Sequence, residues 1–261
     1  MNKRLLSAAA LAVSCIILAS CSGGKTASTA SGTEKSSEVS GTAFSDVPAD
    51  TNAEPGANAS GFNMKGEEYA AECSADSKAP EGIKVEGVGY IEDEKDNYFV
   101  LLITNEGDKD RSLDVNITFY DADGNEMNSQ TEFVPALGGG ATGFASFMPD
   151  SGYASYKYTV TDGAAAGLVS ADSSLEAKVE KREDSALVSV TNKGELAAED
   201  VYYCIFYYEN GALKFYSEGR CMDTGNEIKP GATETDENAY YGVGSYDDVK
   251  IYVHGCCKTS G

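Results

Sequence analysis

Hydrophobic and polar residues alternate along much of the chain after residue 80. Val115, Ile117 and Phe119, for example, alternate with Asn116, Thr118 and Tyr120. A period of two is typical of β-strands that bury one face. Turn residues recur about every ten positions, and no long amphipathic helix interrupts the pattern. The chain is therefore predicted to be all-β and built from antiparallel sandwiches. Only the stretch MKGEEYAAEC, Met64–Cys73, is expected to form a helical turn or two.

This pattern occurs twice. VLLITNEGDKDRSLDVNITFYDADG, Val100–Gly124, aligns without a gap with LVSVTNKGELAAEDVYYCIFYYENG, Leu187–Gly211, at an offset of 87. A later GAT motif begins at Gly140 in the first copy and at Gly231 in the second, an offset of 91. The second copy therefore carries extra residues between these motifs. An internal repeat of this length indicates two tandem domains, each large enough for a modest core.

The copies resemble the FxLYD-type, immunoglobulin-like repeats of surface lipoproteins from Gram-positive bacteria. The motifs that carry the resemblance are TNEG, FYDADG and GGGAT in the first copy, and TNKG, FYYENG and KPGAT in the second. The second copy departs from the pattern because YENG, Tyr208–Gly211, replaces the D-x-D-G turn. The resemblance implies tandem immunoglobulin-like sandwiches. It implies no catalytic residues.

The N-terminus has the features of an export signal. Lys3 and Arg4 precede an apolar run that ends in small residues, and the run is short for a permanent membrane span. The segment LASC, ending at Cys21, is similar to the lipobox of bacterial lipoproteins. That resemblance implies cleavage after residue 20 and two or three acyl chains on Cys21, which anchor a protein stably where one chain is marginal. We expect an extracytoplasmic protein held to the cell membrane by this lipid.

These observations divide the chain into six predicted segments. They are a signal peptide at 1–20, the lipidated cysteine with a flexible Ser/Gly/Thr-rich tether at 21–63, a short extension at 64–80, repeat 1 at 81–162, repeat 2 at 172–255, and a C-terminal tail at 256–261. The tether has too little apolar surface to offset the entropy lost on ordering.

The net charge is −22, and −24 once the leader with its two basic residues is removed. This excess of acids argues against a nucleic-acid partner. The expected partners are the membrane, through the lipid, and an unidentified protein or polysaccharide of the envelope. The charge serves solubility, although recruitment of divalent cations or basic partners is an alternative.

The stretch FYDADGNE, Phe119–Glu126, poses a choice between a calcium loop and a hairpin turn. Asp123-Gly124 aligns with Asn210-Gly211, and both dipeptides tolerate the positive φ angles of a tight turn. An EF-hand would need its glycine at the sixth position and a glutamate at the twelfth with the correct interior spacing, which this stretch lacks. We predict a hairpin without metal.

Few other residues suggest chemistry. The single histidine, His254, lies beside Cys256 and Cys257, and a zinc site that also includes Cys204 or Cys221 is a weak alternative because no C-x-x-C pair is present. Nucleophilic catalysis would depend on His254 alone. We therefore expect no cofactor, no metal and no enzymatic activity. A metal-handling (calcium or zinc) or enzymatic lipoprotein is the alternative.

After Cys21, the chain keeps five cysteines, Cys73, Cys204, Cys221, Cys256 and Cys257. An exported protein can form disulfides, although an odd number leaves at least one thiol. The candidate disulfide joins Cys204 and Cys221, across a strand and the lengthened loop of repeat 2. The alternative is that Cys204 is a small buried hydrophobic residue.

The alignment also predicts which side chains face each core. If Val115, Ile117 and Phe119 face the first core, then Tyr202, Cys204 and Phe206 face the second. The outward set in repeat 2 is then Tyr203, Ile205 and Tyr207, which is apolar and aromatic. This stripe is either covered within the molecule, by the first domain or by residues 62–80, or forms an exposed partner-binding surface. A register error of one residue would exchange the two faces.

Overall fold

A computed structural model gives the fold. It describes residues 38–40, 67–91, 97–164, 167–182, 185–221, 226–239 and 246–259. The predicted signal peptide, Cys21 with its predicted lipid, and all of the predicted tether except residues 38–40 lie outside these ranges. The described residues belong to one compact unit that spans Lys35–Gly261.

The described part of the chain is all-β apart from one short 3-10 turn at Asp172–Ser174. The strands before this turn are β1 (Glu38–Ser40), β2 (Glu67–Tyr69), β3 (Glu72–Cys73), β4 (Ile83–Ile91), β5 (Asn97–Asn105), β6 (Arg111–Tyr120), β7 (Glu126–Leu137), β8 (Thr142–Phe147), β9 (Ser155–Asp162) and β10 (Leu168–Ser170). The later strands are β11 (Leu175–Lys181), β12 (Ser185–Asn192), β13 (Ala198–Glu209), β14 (Ala212–Arg220), β15 (Glu227–Ile228), β16 (Thr233–Ala239) and β17 (Asp248–Lys258). None of the described residues belongs to a helix that is long and apolar enough to cross a membrane.

The strands form four sheets, and the two halves of the chain use the same strand order. In the first half, sheet I has the order β2-β4-β5-β8 and sheet II the order β3-β9-β6-β7. In the second half, sheet III has the order β10-β17-β13-β14, with β15 beside β13, and sheet IV the order β1-β11-β12-β16. Among the strands that the structure describes, all pairings are antiparallel except the β3–β9 pair, which is parallel, as is an isolated bridge between Lys78 and Thr159. The sheets confirm the all-β prediction.

In each half, one buried asparagine stabilises the same corner of the fold through side-chain hydrogen bonds. The side-chain amide of Asn105 donates to the carbonyls of Lys109 and Leu137, and its oxygen accepts from the Gly107 amide. Asn192 makes the equivalent bonds to Leu196, Ile228 and Gly194. Both asparagines are fully buried, so each polar group has to be satisfied inside the protein. The TN-x-G motif therefore recurs in the two copies because its asparagine makes the same hydrogen bonds in each.

The first core lies between sheets I and II. Val115, Ile117 and Phe119 of β6 are at most 1% exposed, as the alternation predicted. They pack against Phe99 and Leu101 of β5 in one continuous cluster. The Phe99 and Phe119 rings meet edge to face at 5.4 Å between centroids, a favourable aromatic geometry.

The outer face of sheet I packs against sheet III. Tyr90, Val100 and Leu102 point away from the first core and join the apolar cluster of the second half. The Tyr216 hydroxyl of β14 lies 2.7 Å from the Ser146 hydroxyl of β8. The four sheets are therefore stacked in the order II, I, III, IV, with apolar side chains between successive layers.

The second core reverses the predicted faces of β13. Tyr203, Ile205 and Tyr207 point toward sheet IV, where Tyr203 donates to Asp236 over 2.6 Å and Tyr207 to Asn238 over 3.2 Å. The cause is a β-bulge between Glu199 and Tyr202. Asp200, inside it, has a φ of +48°. One extra residue in a strand moves every later side chain to the opposite face.

The bulge explains why the ungapped alignment misplaced the strand. Phe119 pairs with Tyr156 in the first half, and Tyr207 pairs with Val249 in the second. Because YKYTV and VKIYV begin at Tyr156 and Val249, Phe119 is equivalent to Tyr207, one residue later than the sequence offset indicates. The hairpin turn is shorter in the second half, which restores the offset.

Three sequence predictions about individual segments differ from the structure. Residues 67–73 form β2 and β3 and not a helical turn, because they pair with β4 and β9. Glu38–Ser40, in the predicted tether, pairs with β11, so that edge of sheet IV is covered. Strand β17 continues to Lys258, so the predicted tail at 256–261 begins inside a strand.

Candidate functional site

A cleft of about 620 Å³ opens between the two halves, where β7 and β8 face β13, β14 and β17. Its lining includes Phe133, Phe144, Tyr202, Glu132, Glu218 and His254. Tyr202 and His254 are directly paired in sheet III and therefore share the face that is turned away from the second core.

His254 and Asp172 form a buried pair at the floor of this region. The His254 Nδ1 lies 2.9 Å from an Asp172 carboxylate oxygen, and the two side chains are 5% and 1% exposed. Asp172 also accepts from the amide of Gly138, in the first half, and from that of Gly255, in the second. One carboxylate therefore links both halves of the molecule.

The pair shifts the titration of both groups. Burial raises the pKa of Asp172, but the His254 charge and hydrogen bond outweigh burial, so the net pKa lies below 3.8. Burial lowers the pKa of His254, but the Asp172 charge and hydrogen bond raise it above 6.5, helped by the Pro135 carbonyl. These directions favour the ion pair. Within the described residues, the other ring nitrogen, Nε2, forms no hydrogen bond of ordinary geometry, and the Pro135 carbonyl is the acceptor that acts on the ring.

Charged side chains lie at the cleft mouth. The Arg220 guanidinium stacks over the Tyr202 ring at 4.4 Å and donates to its hydroxyl, and it lies 3.9 Å from Asp200. Glu218 accepts from the Tyr216 hydroxyl over 2.8 Å. Burial, and then the nearby Glu218 charge, raise the pKa of Glu132. At the mouth, the charge of Arg220 is thus offset by Asp200, whereas the carboxylates of Glu132 and Glu218 repel each other.

The predicted partner-binding residues do not form a surface. Tyr203, Ile205 and Tyr207 are all 0% exposed, because the bulge turns them into the second core. The stripe is covered within the molecule, by sheet IV rather than by the first domain or residues 62–80. This corrects the prediction of an exposed partner-binding stripe.

The candidate disulfide is also absent. Cys204 and Cys221 are both free and buried. Cys204 alternates with Tyr203 and Ile205 and therefore points toward the first half, whereas Asp236 and Glu234 of sheet IV act on the Cys221 thiol. The two thiols lie on opposite faces of sheet III. Burial raises the pKa of Cys221 to about 12, so this thiol has no nucleophilic character at neutral pH.

The remaining motifs take structural positions. Asp121 closes the β6–β7 turn by accepting from the amides of Asp123 and Asn125, and the hydrogen bonds with Asn125 lower its pKa. Gly124 has a φ of +82°, whereas Asp123 is not in the left-handed region. In the second half both Asn210 and Gly211 have positive φ. Throughout the described ranges, no group of three or more His, Cys, Asp and Glu side chains is placed to hold a metal ion.

Sequence reasoning singled out His254 but not its partners. Asp172, Glu132 and Glu218 come from three distant segments, and no local motif marks any of them. The sequence offered one signal for His254: it follows VKIYV as Thr161 follows YKYTV, and in the structure Thr161 is exposed whereas His254 is buried. A residue that is buried in only one copy of a repeat indicates a contact that the other copy lacks.

Comparisons with known proteins add little. No protein-family model matches the chain, and no curated protein matches it. Among solved structures, red sea bream transglutaminase has 10% sequence identity and a TM-score of 0.22, over 67% of this chain and 31% of that chain. The chain thus covers less than a third of that protein's length, and a TM-score this low carries no argument.

Proposed function

We propose that the chain is a lipid-anchored lipoprotein on the extracytoplasmic face of a bacterial cell membrane, and that it acts as a non-catalytic binding module. Its two halves are tandem immunoglobulin-like sandwiches that resemble the FxLYD-type repeats of Gram-positive surface lipoproteins. The leader, the LASC segment and the twofold repetition of the TN-x-G corner support this proposal.

The cleft between the halves carries the binding part of the proposal. Neither half forms it alone, since β7 and β8 supply one wall and sheet III the other. Ligand sites in proteins are commonly concave, largely apolar and furnished with a few convergent polar groups. Phe133 is 44% exposed although it is a large apolar residue, which fits a surface that a partner covers.

Fatty-acid labelling tests the anchor. Cells that express the full chain are fed an alkyne-tagged palmitate, and the parent is compared with Cys21→Ala. We expect label in the parent only, with the variant recovered as unprocessed precursor or in the medium. Equal labelling of both proteins would refute lipidation at Cys21.

Capture from a cell-envelope extract tests the cleft. The double variant Phe133→Ala, Tyr202→Ala removes two aromatic walls, and Met148→Ala, Leu196→Ala is the matched control because both residues are exposed and apolar but lie outside the cleft. We expect the first variant to lose most envelope material that the parent retains, and the control to retain it. Equal retention by both variants would refute the cleft as the binding site.

A further inference from the structure

Strand β8 lies at one edge of sheet I. Among the described strands, only β5 pairs with it. The backbone groups of an antiparallel strand point alternately toward and away from its partner. The Asn105 amide donates to the Ala141 carbonyl at the end of this pair, which sets the alternation. Ala145 therefore bonds β5, whereas the backbone N–H and C=O groups of Phe144 and Ser146 point away from it.

The side chain of Gln130 shows what these outward groups bind. Met148 directly follows the end of β8 and has the same phase as Phe144 and Ser146. The Gln130 side-chain amide donates to the Met148 carbonyl over 2.7 Å and accepts from the Met148 amide over 3.1 Å. A side-chain amide has the same kinds of donor and acceptor as a peptide group. At this position the edge is therefore bonded as a neighbouring strand would bond it.

The next two outward positions, Phe144 and Ser146, belong to the lining of the cleft between the halves. Backbone N–H and C=O groups are strong hydrogen-bonding groups that need partners. The cleft is the open space beside this edge, so a further strand that enters it can bond β8. Phe133 and Tyr202 also line the cleft, so the side chains of such a strand would meet aromatic walls.

The other edge strands of the described chain are protected against such pairing. Strand β16, which takes the place of β8 in the second half, has the sequence TETDENA with the acids Glu234, Asp236 and Glu237. Strand β14 carries charges at four positions, and β7 contains Pro135 and pairs with a register irregularity near each end. Strands β1, β2, β3, β10 and β15 have at most three residues. Charges, proline, bulges and shortness are the usual protections of an edge. Strand β8, TGFASF, has six residues and none of these features.

We propose that the cleft binds an extended peptide segment of a partner protein, which adds to the four-stranded sheet I as a further strand beside β8. The peptide backbone bonds the N–H and C=O groups of Phe144 and Ser146. Its alternate side chains contact the aromatic walls formed by Phe133 and Tyr202. Main-chain bonds supply affinity in such a site, and the walls select apolar or aromatic side chains. The inference rests on the proposed function in using the same cleft, and it narrows the partner to a protein.

Selection from a phage library of random heptapeptides tests the partner class. The full chain is the bait, and Ser146→Pro is the comparison bait, because proline lacks the backbone N–H but fits an edge position. We expect peptides that the parent enriches and the proline variant does not. A synthetic copy of the most enriched peptide should lose about tenfold in affinity when the backbone amides that face β8 are N-methylated. Methylation of the alternate amides should change the affinity much less, because they point away from β8.

Two control variants separate the N–H group from other effects of the proline. Ser146→Ala keeps the N–H and removes the hydroxyl that lies 2.7 Å from the Tyr216 hydroxyl. Thr235→Pro places a proline at an outward position of β16, since the bond from the Asn192 amide to the Ala232 carbonyl sets the same alternation there. Both controls should bind the peptide within about twofold of the parent.

Hydrogen exchange of the parent tests the edge without any substitution. In the free chain, the amides of Phe144 and Ser146 should exchange much faster than the amide of Ala145, which bonds β5. Saturation with the enriched peptide should slow the exchange of Phe144 and Ser146 at least tenfold, as about expected for amides that gain a strand partner. The amides of Thr233 and Thr235, on the edge of β16, should not change.

The inference is overturned if no peptide discriminates the parent from Ser146→Pro, if Ser146→Ala weakens binding equally, or if the peptide leaves the exchange of Phe144 and Ser146 unchanged. These failures are distinct from failure of the proposed function. Loss of envelope capture in the Phe133, Tyr202 variant, with capture unaffected by Ser146→Pro, would retain the cleft and reject strand addition. Peptide binding that depends on the Ser146 N–H, with capture unaffected in both variants, would retain strand addition and reject the envelope role of the cleft.

Discussion

Strands β6 and β13 have equivalent places in the two halves, but residues that are aligned in sequence lie on opposite faces of the two strands. In β6 the core residues are Val115, Ile117 and Phe119, and the intervening Asn116 is exposed. In β13 the residue aligned with Asn116 is Tyr203, which is fully buried. A single bulge at Asp200 produces the difference. An ungapped alignment of two repeats therefore fixes the order of strands but not the face of each side chain.

The two outer faces also differ in what covers them. In sheet II the face of β6 away from the core carries Asn116 and Thr118, which bond the hydroxyls of Thr131 and Ser129. In sheet III the same face carries Cys204 and Phe206, both buried against the first half. Strand β13 is thus apolar on both faces, because sheet III lies between sheets I and IV in the stack. Continuous apolar runs are typical of strands that are buried on both sides.

The largest expected effect separates the aligned residues Tyr203 and Asn116. Tyr203→Ala should lower the free energy of unfolding by about 4 kcal/mol, since it leaves a cavity and removes the partner of Asp236. Asn116→Ala, at the aligned position, should change it by less than about 0.5 kcal/mol. Urea unfolding of both variants measures the difference. Similar losses in the two variants would show that the bulge does not exchange the faces.

The next effect tests the pair that only the second half has. Asp172→Asn should cost about 3 kcal/mol at pH 6, because it leaves His254 buried without its anion. Thr161→Val is the control, since Thr161 takes the place of His254 in sheet II and is exposed. Urea unfolding at a series of pH values measures both variants, and the control should stay close to the parent throughout.

The pH dependence of this loss follows from the two shifts. The raised pKa of His254 gives stability that is complete below about 6.5 and is lost as pH rises through the folded value. The lowered pKa of Asp172 gives stability that is present above about 3.8 and is lost as pH falls through the folded value. The gap between parent and Asp172→Asn should therefore be widest between these limits. A gap that widens steadily from pH 6 to pH 9 would contradict the ion pair.

A smaller effect tests the bulge itself. Asp200→Leu gives the second repeat the residue type that the first repeat has at the aligned position, Leu113. It should cost about 1.5 kcal/mol, because a leucine is strained at a φ of +48°. Asp200→Gly should lie within about 0.5 kcal/mol of the parent, since glycine adopts this conformation freely and the Asp200 contacts are half-exposed. If the leucine variant is as stable as the glycine variant, the strand does not need a left-handed residue here.

The sequence predicted the elements whose signals are local. Alternation identified the strands and the first core, and the TN-x-G corner marked the equivalent turns, because each depends on neighbours within a few residues. The faces of β13 could not be predicted. The bulge at Asp200 adds one residue to the strand, and the shorter hairpin turn that follows removes it again, so the ungapped alignment shows no sign of the bulge. The cleft could not be predicted either, because its two walls, β7 and β8 on one side and sheet III on the other, come together only when the two halves pack.

The smallest effect compares the two hairpin turns. Asn210→Ala should cost about 1 kcal/mol, because Asn210 has a φ of +53° and alanine tolerates this region less well than asparagine. Asp123→Ala, at the aligned position, should cost less than about 0.5 kcal/mol, since Asp123 is not in the left-handed region. The Asp123 backbone amide bond to Asp121 survives the substitution. Paired thermal melts measure both variants. Equal losses would mean that the two turns have the same geometry, and the shorter second turn would then no longer account for the restored alignment.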